Sequence, residues 1–185
     1  MNTQPPVLLF TIIFLFFISS LSVANTDDLQ DAKDAFKRKD YETAYKLFLP
    51  LGEQGVTDAQ TNLGWMYYKG QGLPQDDQEA VKWYRLAAEQ GDAQAQNHLG
   101  LMYFKGQGVS QDDQEAIRLF RLAAEQGLIE AQFNLGVTYS DGREVLQDDK
   151  EAVKWFQLAA AQGDAAARER LVFFLTEKTN ENNQK

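Results

Sequence analysis

Three pairs of adjacent aspartates are the residues best suited, by type and spacing, to bind a metal ion or transfer protons. They occupy positions 76–77, 112–113 and 148–149. The first member of each pair, such as Asp112, stands three residues before a glutamate at the start of a helical pattern, as in a capping box. The segments lack the alternating oxygen ligands of a calcium loop. We therefore predict that the aspartates cap helices and that the protein uses no metal or cofactor.

The single histidine and the few serines do not form a catalytic set. Beyond the N-terminal segment the only serines are Ser110 and Ser140, both in or beside linkers. A triad needs a serine next to a histidine. The sequence contains no cysteine, which removes thiolate catalysis, thiolate metal sites and disulfides. We predict a protein that is not an enzyme, with His98 in a polar ladder formed with Asn62 and Asn134.

The overall charge argues against two classes of partner. The formal net charge of the 185 residues is −9. A net acidic surface repels phosphate backbones and anionic lipid headgroups. The sequence therefore predicts no nucleic-acid partner and no peripheral membrane binding.

The N-terminus has the pattern of a secretory signal peptide. Val7 to Ile18 form an uncharged apolar run, and Ser22 and Ala24 have the spacing of a cleavage site. The run is short for a membrane span. No lysine or arginine precedes it, which departs from the pattern. We predict a signal peptide over 1–24, cleaved after Ala24, with no membrane insertion afterwards; the alternative is an uncleaved N-terminal anchor.

The rest of the chain repeats every 36 residues. The phrase LAAEQG at 86–91 returns at 122–127 and, as LAAAQG, at 158–163. Within one unit, Ala59, Leu63 and Tyr67 share one helix face, and a second amphipathic helix follows. A period of this length predicts a solenoid in which each unit buries its apolar face against its neighbours.

Glycines punctuate each unit. Gly70 is placed to end the first helix, and Gly91 to end the second, in the left-handed conformation. Gly64 lies inside the first helix, where it costs about 1 kcal/mol relative to alanine. Because the same column holds glycine in three units, we predict that the paired helix approaches closely there.

The repeat defines the domain organisation. We predict a repeat domain over 25–177 and a disordered polar tail over 178–185. The repeat domain comprises a divergent unit at 27–55, three full units at 56–91, 92–127 and 128–163, and a capping helix at 164–177. The second loop glycine, present at Gly72 and Gly108, is replaced by Glu144, so the third loop is expected to have a different shape.

The stretch AQTNLGWMYYKGQGLPQDDQEAVKWYRLAAEQG, echoed from Ala95 and from Ala131, resembles the Sel-one-like repeat, a relative of the tetratricopeptide repeat. The divergent first unit resembles a plain tetratricopeptide repeat. The resemblance implies an all-α fold, a right-handed α-solenoid of antiparallel helix pairs, that serves as an adaptor or scaffold. In exported bacterial members it implies a periplasmic or secreted protein with a role in the cell envelope.

The same resemblance places the first helix of each pair on the concave face. The side chains predicted to point inward there and to bind a partner are Thr61, Asn62, Trp65, Tyr68, Lys69, Asn97, His98, Leu101, Phe104, Lys105, Phe133, Asn134 and Val137. Apolar anchors flanked by amides suit an extended peptide or a helix of another protein.

Three alternatives stay open. The thirteen side chains could instead fill the seams between neighbouring first helices. The protein could be a structural spacer in an envelope or secretion assembly. It could also be a hydrolase related to secreted β-lactam-binding repeat proteins, although the sequence has neither their cysteines nor a Ser-x-x-Lys motif.

Overall fold

The computed structural model describes residues 27–142 and 148–183, and all regular structure within these ranges is helical. Helix α1 covers 27–37, and each later helix packs against the next along the chain. The later helices are α2 (Tyr41–Glu53), α3 (Thr57–Lys69), α4 (Asp77–Glu89), α5 (Ala93–Lys105), α6 (Asp113–Glu125), α7 (Ile129–Asp141), α8 (Asp149–Ala161) and α9 (Ala165–Asn183). The protein is thus an all-α solenoid of helix pairs, the predicted fold class.

The predicted helix stops are confirmed. Gly70 and Gly106 follow the first helices of two units with φ of 63° and 66°, in the left-handed conformation. Gly91 follows the second helix of its unit with φ of 92°. In the divergent first unit, Lys39 adopts φ of 62°, so a lysine makes the turn that glycine makes elsewhere.

The glycine inside α3, α5 and α7 is required by the ring of the paired helix. A Cβ atom on Gly64 would lie 2.7 Å from Cδ1 of Tyr84. The same atom on Gly100 would lie 2.8 Å from the ring of Phe120. Because real Cβ contacts are longer than this, the predicted close approach is confirmed.

The aspartates cap helices as predicted, but the second half of the capping box is wrong. Asp112 Oδ1 accepts from the backbone N–H of Glu115 at 3.0 Å. The Asp112 N–H donates to the carbonyl of Tyr103, 3.1 Å away, and so does not need the glutamate. The Glu115 carboxylate instead pairs with Arg118. Because a carbonyl of helix α5 already accepts from this N–H, the reciprocal bond to the glutamate does not form.

The last helix extends beyond its predicted end. Helix α9 continues to Asn183, whereas the sequence analysis ended it at residue 177 and predicted a disordered tail over 178–185. No glycine or proline follows Gly163, so no residue terminates the helix locally. The prediction is therefore wrong for 178–183; residues 184–185 lie outside the described ranges.

Two further predictions also fall on residues that the structure does not describe. They are the signal peptide over 1–24 and the altered loop at Glu144. Among the described helices, none combines the length and apolarity needed to cross a bilayer.

Candidate protein-binding surface

The first helices of neighbouring units contact one another. We call the side of these helices that faces away from their paired second helices the first-helix surface. Helix α3 packs on α5 as well as on its own partner α4. Between the next two units, Asn134 Nδ2 donates to Asn97 Oδ1 at 2.9 Å. All thirteen side chains predicted to bind a partner belong to α3, α5 or α7, so the structure places them along this series of helices.

Trp65 is largely used to join two units. Its ring lies 5.1 Å from that of Phe36 in α1, edge to face. The ring of Tyr41 in α2 is 6.4 Å away. Aromatic pairs at such distances are favourable packing contacts. Trp65 is therefore a half-buried wedge in the seam between the first two units.

The apolar residues further along are also half-buried. Leu101 and Phe104 pack against the core of the third unit. Val137 and Phe133 pack against the core of the fourth, where Phe133 lies 5.7 Å from Phe156. Part of each of these side chains therefore fills a seam between helices, as the alternative proposed, and the remaining part faces outward.

Lysines provide the most exposed part of the first-helix surface. Lys69 and Lys105 are exposed, at the last position of α3 and α5. Lys69 Nζ lies 4.9 Å above the ring of half-buried Tyr68. This arrangement offers a cation beside an aromatic face at the surface.

The predicted polar ladder does not form. Asn62 Nδ2 donates to the Asp58 carbonyl of its own helix at 2.7 Å. His98 stacks on Tyr84 with ring centroids 5.1 Å apart. Of the three, only Asn134 bonds to a neighbouring unit, the preceding one, and its partner Asn97 belongs to another column. The three side chains are equally spaced in sequence, but they do not bond to one another because each contacts a residue that lies nearer.

Two polar residues of the predicted site lie between helices. Asn97 is only 3% exposed, so its assignment as a partner-binding residue is corrected to a packing role. Thr61 Oγ1 lies 3.2 Å from the Thr57 carbonyl and 3.2 Å from Asp92 Oδ1. Both side chains hold neighbouring elements together.

His98 is held in its neutral form. Burial, with a smaller contribution from the positive charge of Lys69, lowers its pKa from the ordinary value. Beside it, a cavity of about 20 Å³ is lined by Tyr68, Tyr84, His98, Leu101, Met102 and Gln107. This volume holds no more than a water molecule. This cavity is therefore too small to enclose a substrate.

A buried glutamine relay was missed at the sequence level. Gln96 is 4% exposed, and its Nε2 donates to the carbonyl of Ala88 at 3.2 Å, near the end of the preceding helix. Its Oε1 accepts from Nε2 of Gln126 at 2.8 Å. Equivalent pairs join Gln60 with Gln90 and Gln132 with Gln162. The signal was present, since both glutamine columns recur every 36 residues.

No group of three or more acidic or histidine side chains in the described ranges is arranged to hold a metal ion. The aspartate pairs point into local capping and loop contacts instead. Asp77 Oδ1 accepts from Gln75, and Asp113 Oδ1 accepts from Gln111. These aspartates therefore form hydrogen bonds that hold the loops and the helix starts.

Together, the stacked helix pairs define an α-solenoid built from helical repeats. The family model described as Sel1 repeat matches residues 34–56, 57–92, 93–128 and 129–164. These matches cover most of the chain, and the chain belongs to the Sel1 repeat family. Sel1 repeat proteins are generally scaffolds for protein–protein interaction and are typically non-catalytic.

Solved structures of bacterial proteins share the fold. A Sel1 repeat protein from Oxalobacter formigenes is 36% identical, with a TM-score of 0.74 over 79% of this chain and 60% of that one. A protective antigen of uropathogenic Escherichia coli with an SLR fold is 34% identical, with a TM-score of 0.81 over 96% of this chain. This chain spans 60% and 37% of the lengths of these two relatives.

A more distant likeness shows the fold alone. Cysteine rich protein B of Helicobacter pylori is 22% identical, with a TM-score of 0.53 over 77% of this chain and 96% of that one. None of the curated proteins compared matches the sequence.

Proposed function

We propose that the protein is a non-enzymatic adaptor of the bacterial cell envelope that binds a segment of another protein on its first-helix surface. The observation that carries this proposal is the exposed Lys69 and Lys105 beside half-buried aromatic residues, in a chain whose net charge is −9. A local cationic and aromatic strip on an acidic molecule favours a peptide that carries both carboxylates and apolar side chains.

The strip can be tested without disturbing the core. In the double variant Lys69→Glu, Lys105→Glu, both changes fall on exposed side chains, so the fold is expected to remain intact. Crosslinking in the envelope fraction, followed by mass spectrometry, should identify a partner that the wild type captures and that the variant loses. The matched control is Lys46→Glu, Lys154→Glu, which makes the same charge change on exposed lysines of second helices.

The two variants separate the outcomes. Loss with the first variant and retention with the control supports binding at the first-helix surface. Equal capture by all three proteins contradicts it.

Export is the second part of the proposal and rests on the N-terminal sequence. The described repeats begin with α1 at residue 27, so removal of 1–24 leaves every described helix intact. Intact-mass measurement of the protein recovered from the envelope should give a chain that starts at Asn25. A mass that includes Met1 to Ala24 would contradict cleavage and favour the anchored alternative.

A structural spacer is the second candidate function, because specific contacts favour it. Trp65 packs against Phe36, and Asn97 is buried, so two of the predicted anchors already serve the solenoid itself. A spacer predicts that the lysine variants keep all partners and that only changes that shorten the solenoid alter the assembly.

A further inference from the structure

A cavity of about 360 Å³ opens between the second helices α4 and α6, on the side away from the first-helix surface. The buried side chains of Leu99 and Leu119 form its floor, and Leu122 lies at its edge. Pockets that enclose ligands have volumes of about 300–1,000 Å³. The cavity is thus large enough for one bulky side chain.

The repeat explains why the cavity exists at this seam. Position 119 belongs to the column that holds Trp83 in the preceding unit and Trp155 in the following unit. A Cβ atom on Gly52 would lie 3.0 Å from Cζ3 of Trp83, so that ring lies against helix α2. Trp155 packs in one core cluster with Ala124 of α6. The indole of Trp83 therefore reaches the preceding second helix, and the indole of Trp155 shares a core cluster with residues of the preceding one.

The middle seam has no such ring. Ala88, the counterpart of Gly52 and Ala124, lines the cavity, and the smaller Leu119 takes the place of the tryptophan. The empty volume is thus located where the neighbouring units hold an indole of their own chain.

Nε1 of Trp83 is buried without a hydrogen-bond partner, whereas that of Trp155 has a carboxylate acceptor whose counterpart lines the cavity. Trp155 Nε1 donates to Glu151 Oε2 at 3.1 Å, four residues earlier on the same helix. Glu115 stands four residues before Leu119 and lines the cavity. Its carboxylate is oriented by two bonds from Arg118, each 2.7 Å long. Glu115 thus occupies the sequence position that corresponds to Glu151, the acceptor of the Trp155 indole.

From this comparison we infer that the cavity between α4 and α6 binds a tryptophan side chain carried by another polypeptide. The three tryptophans of this chain, Trp65, Trp83 and Trp155, are all packed within the solenoid, so a second copy does not supply the ring.

Two features of the rim favour a polypeptide over a free indole. Leu86 and Leu122 are 45% and 37% exposed on the two helices that border the cavity, so apolar surface continues beyond it. Arg85 also lines the cavity, and its Nη2 donates to the hydroxyl of Tyr103 at 2.9 Å. None of the ion pairs among the described residues includes Arg85. A carboxylate next to the tryptophan in the partner segment would pair with it.

The first test uses N-acetyl-tryptophanamide as the probe and the protein as the cell produces it. With labelled leucine methyl groups, nuclear magnetic resonance should show saturable shifts of Leu99, Leu119 and Leu122. Leu119→Trp fills the seam as the flanking units do and should weaken binding at least about tenfold. The control Leu158→Ala changes an exposed leucine of α8 outside the cavity and should leave binding unchanged.

The second test distinguishes the source of the ring. Random peptides displayed on phage, selected on the wild type and depleted on Leu119→Trp, should contain tryptophan. Selected peptides without it overturn the proposal, as does undiminished probe binding by Leu119→Trp. Free indole that binds at least as tightly as the selected peptides overturns the polypeptide assignment. If Leu119→Trp does not fold, Leu122→Glu at the rim is the substitute and should cause the same loss. This site is separate from the first-helix surface, so the two proposals fail independently.

Discussion

Gln90 Nε2 donates to Gln60 Oε1 across 2.7 Å, which joins the end of one helix to the start of its paired helix. Gln60 in turn donates to the carbonyl of Gly52 in the preceding unit at 3.0 Å. Each such glutamine pair connects three helices. The repeated phrase LAAEQG therefore supplies a glutamine that bonds to another helix, in addition to small residues and a glycine that ends the helix.

Removing a member of this relay should destabilise the protein. In Gln96→Ala, the carbonyl of Ala88 and the amide of Gln126 lose a buried partner, which should lower the free energy of unfolding by about 1–3 kcal/mol. Urea denaturation followed by circular dichroism measures the loss. The control Gln94→Ala changes an exposed glutamine two residues earlier and should stay within about 0.5 kcal/mol of the wild type.

Replacing a helical glycine by alanine should also destabilise the protein, although alanine has the higher helix propensity. Gly100→Ala gains up to about 1 kcal/mol of propensity but pushes a methyl group to 2.8 Å from the Phe120 ring. Overpacking typically costs about 1–3 kcal/mol, so a net loss is expected. An increase in the melting temperature would show that the ring can move away at no cost.

The two tryptophans of the second helices should differ in their contribution to stability. Trp155 is 7% exposed, and its replacement by alanine should cost about 3–5 kcal/mol. Trp83 is half-buried, so Trp83→Ala should cost less. Equilibrium unfolding of the two variants gives the order. A larger loss for Trp83 would contradict the packing described.

The stability contributed by the Asp112 cap can be measured separately from that of the neighbouring ion pair. Asp112→Ala removes the acceptor of the Glu115 N–H and should cost about 1 kcal/mol. Glu115→Ala removes only the carboxylate that pairs with Arg118, and exposed pairs contribute about 0–1 kcal/mol. Thermal unfolding should therefore rank the aspartate variant lower. The reverse order would restore the capping box.

His98 should make stability depend on pH. Burial lowers its folded pKa below the unfolded value of about 6.5, so the unfolded state binds the proton first as the pH falls. Stability is then unaffected by His98 above about pH 6.5 and decreases as the pH falls from there to the folded pKa. Lys69 strengthens the shift, while Asp92 and Glu130 oppose it.

The variant His98→Asn carries the residue found at the equivalent position of the two neighbouring units. The difference in unfolding free energy between the wild type and this variant should change with pH only below about 6.5, by about 1.4 kcal/mol for each unit of pKa depression. Urea titrations at several pH values measure it. A constant difference across the range would contradict a neutral His98.

The local features of the fold could be predicted from the sequence. The helix pairs, the aspartate caps and the left-handed glycines each depend on residues within a few positions of one another. Gly64 was also interpretable, because its column repeats and glycine is unfavourable inside a helix. These features recur with the 36-residue period, and a recurring local signal can be recognised in sequence.

Contacts between units depended on the tertiary structure. Nothing local shows that Trp65 packs on Phe36, that Asn97 bonds to Asn134, or that Leu119 leaves a cavity at its seam. These residues lie far apart in the chain, and the position of each side chain depends on how closely neighbouring helices approach. The sequence by itself determined the repeat and its helices, whereas packing across the seams decided which side chains remain available to a partner.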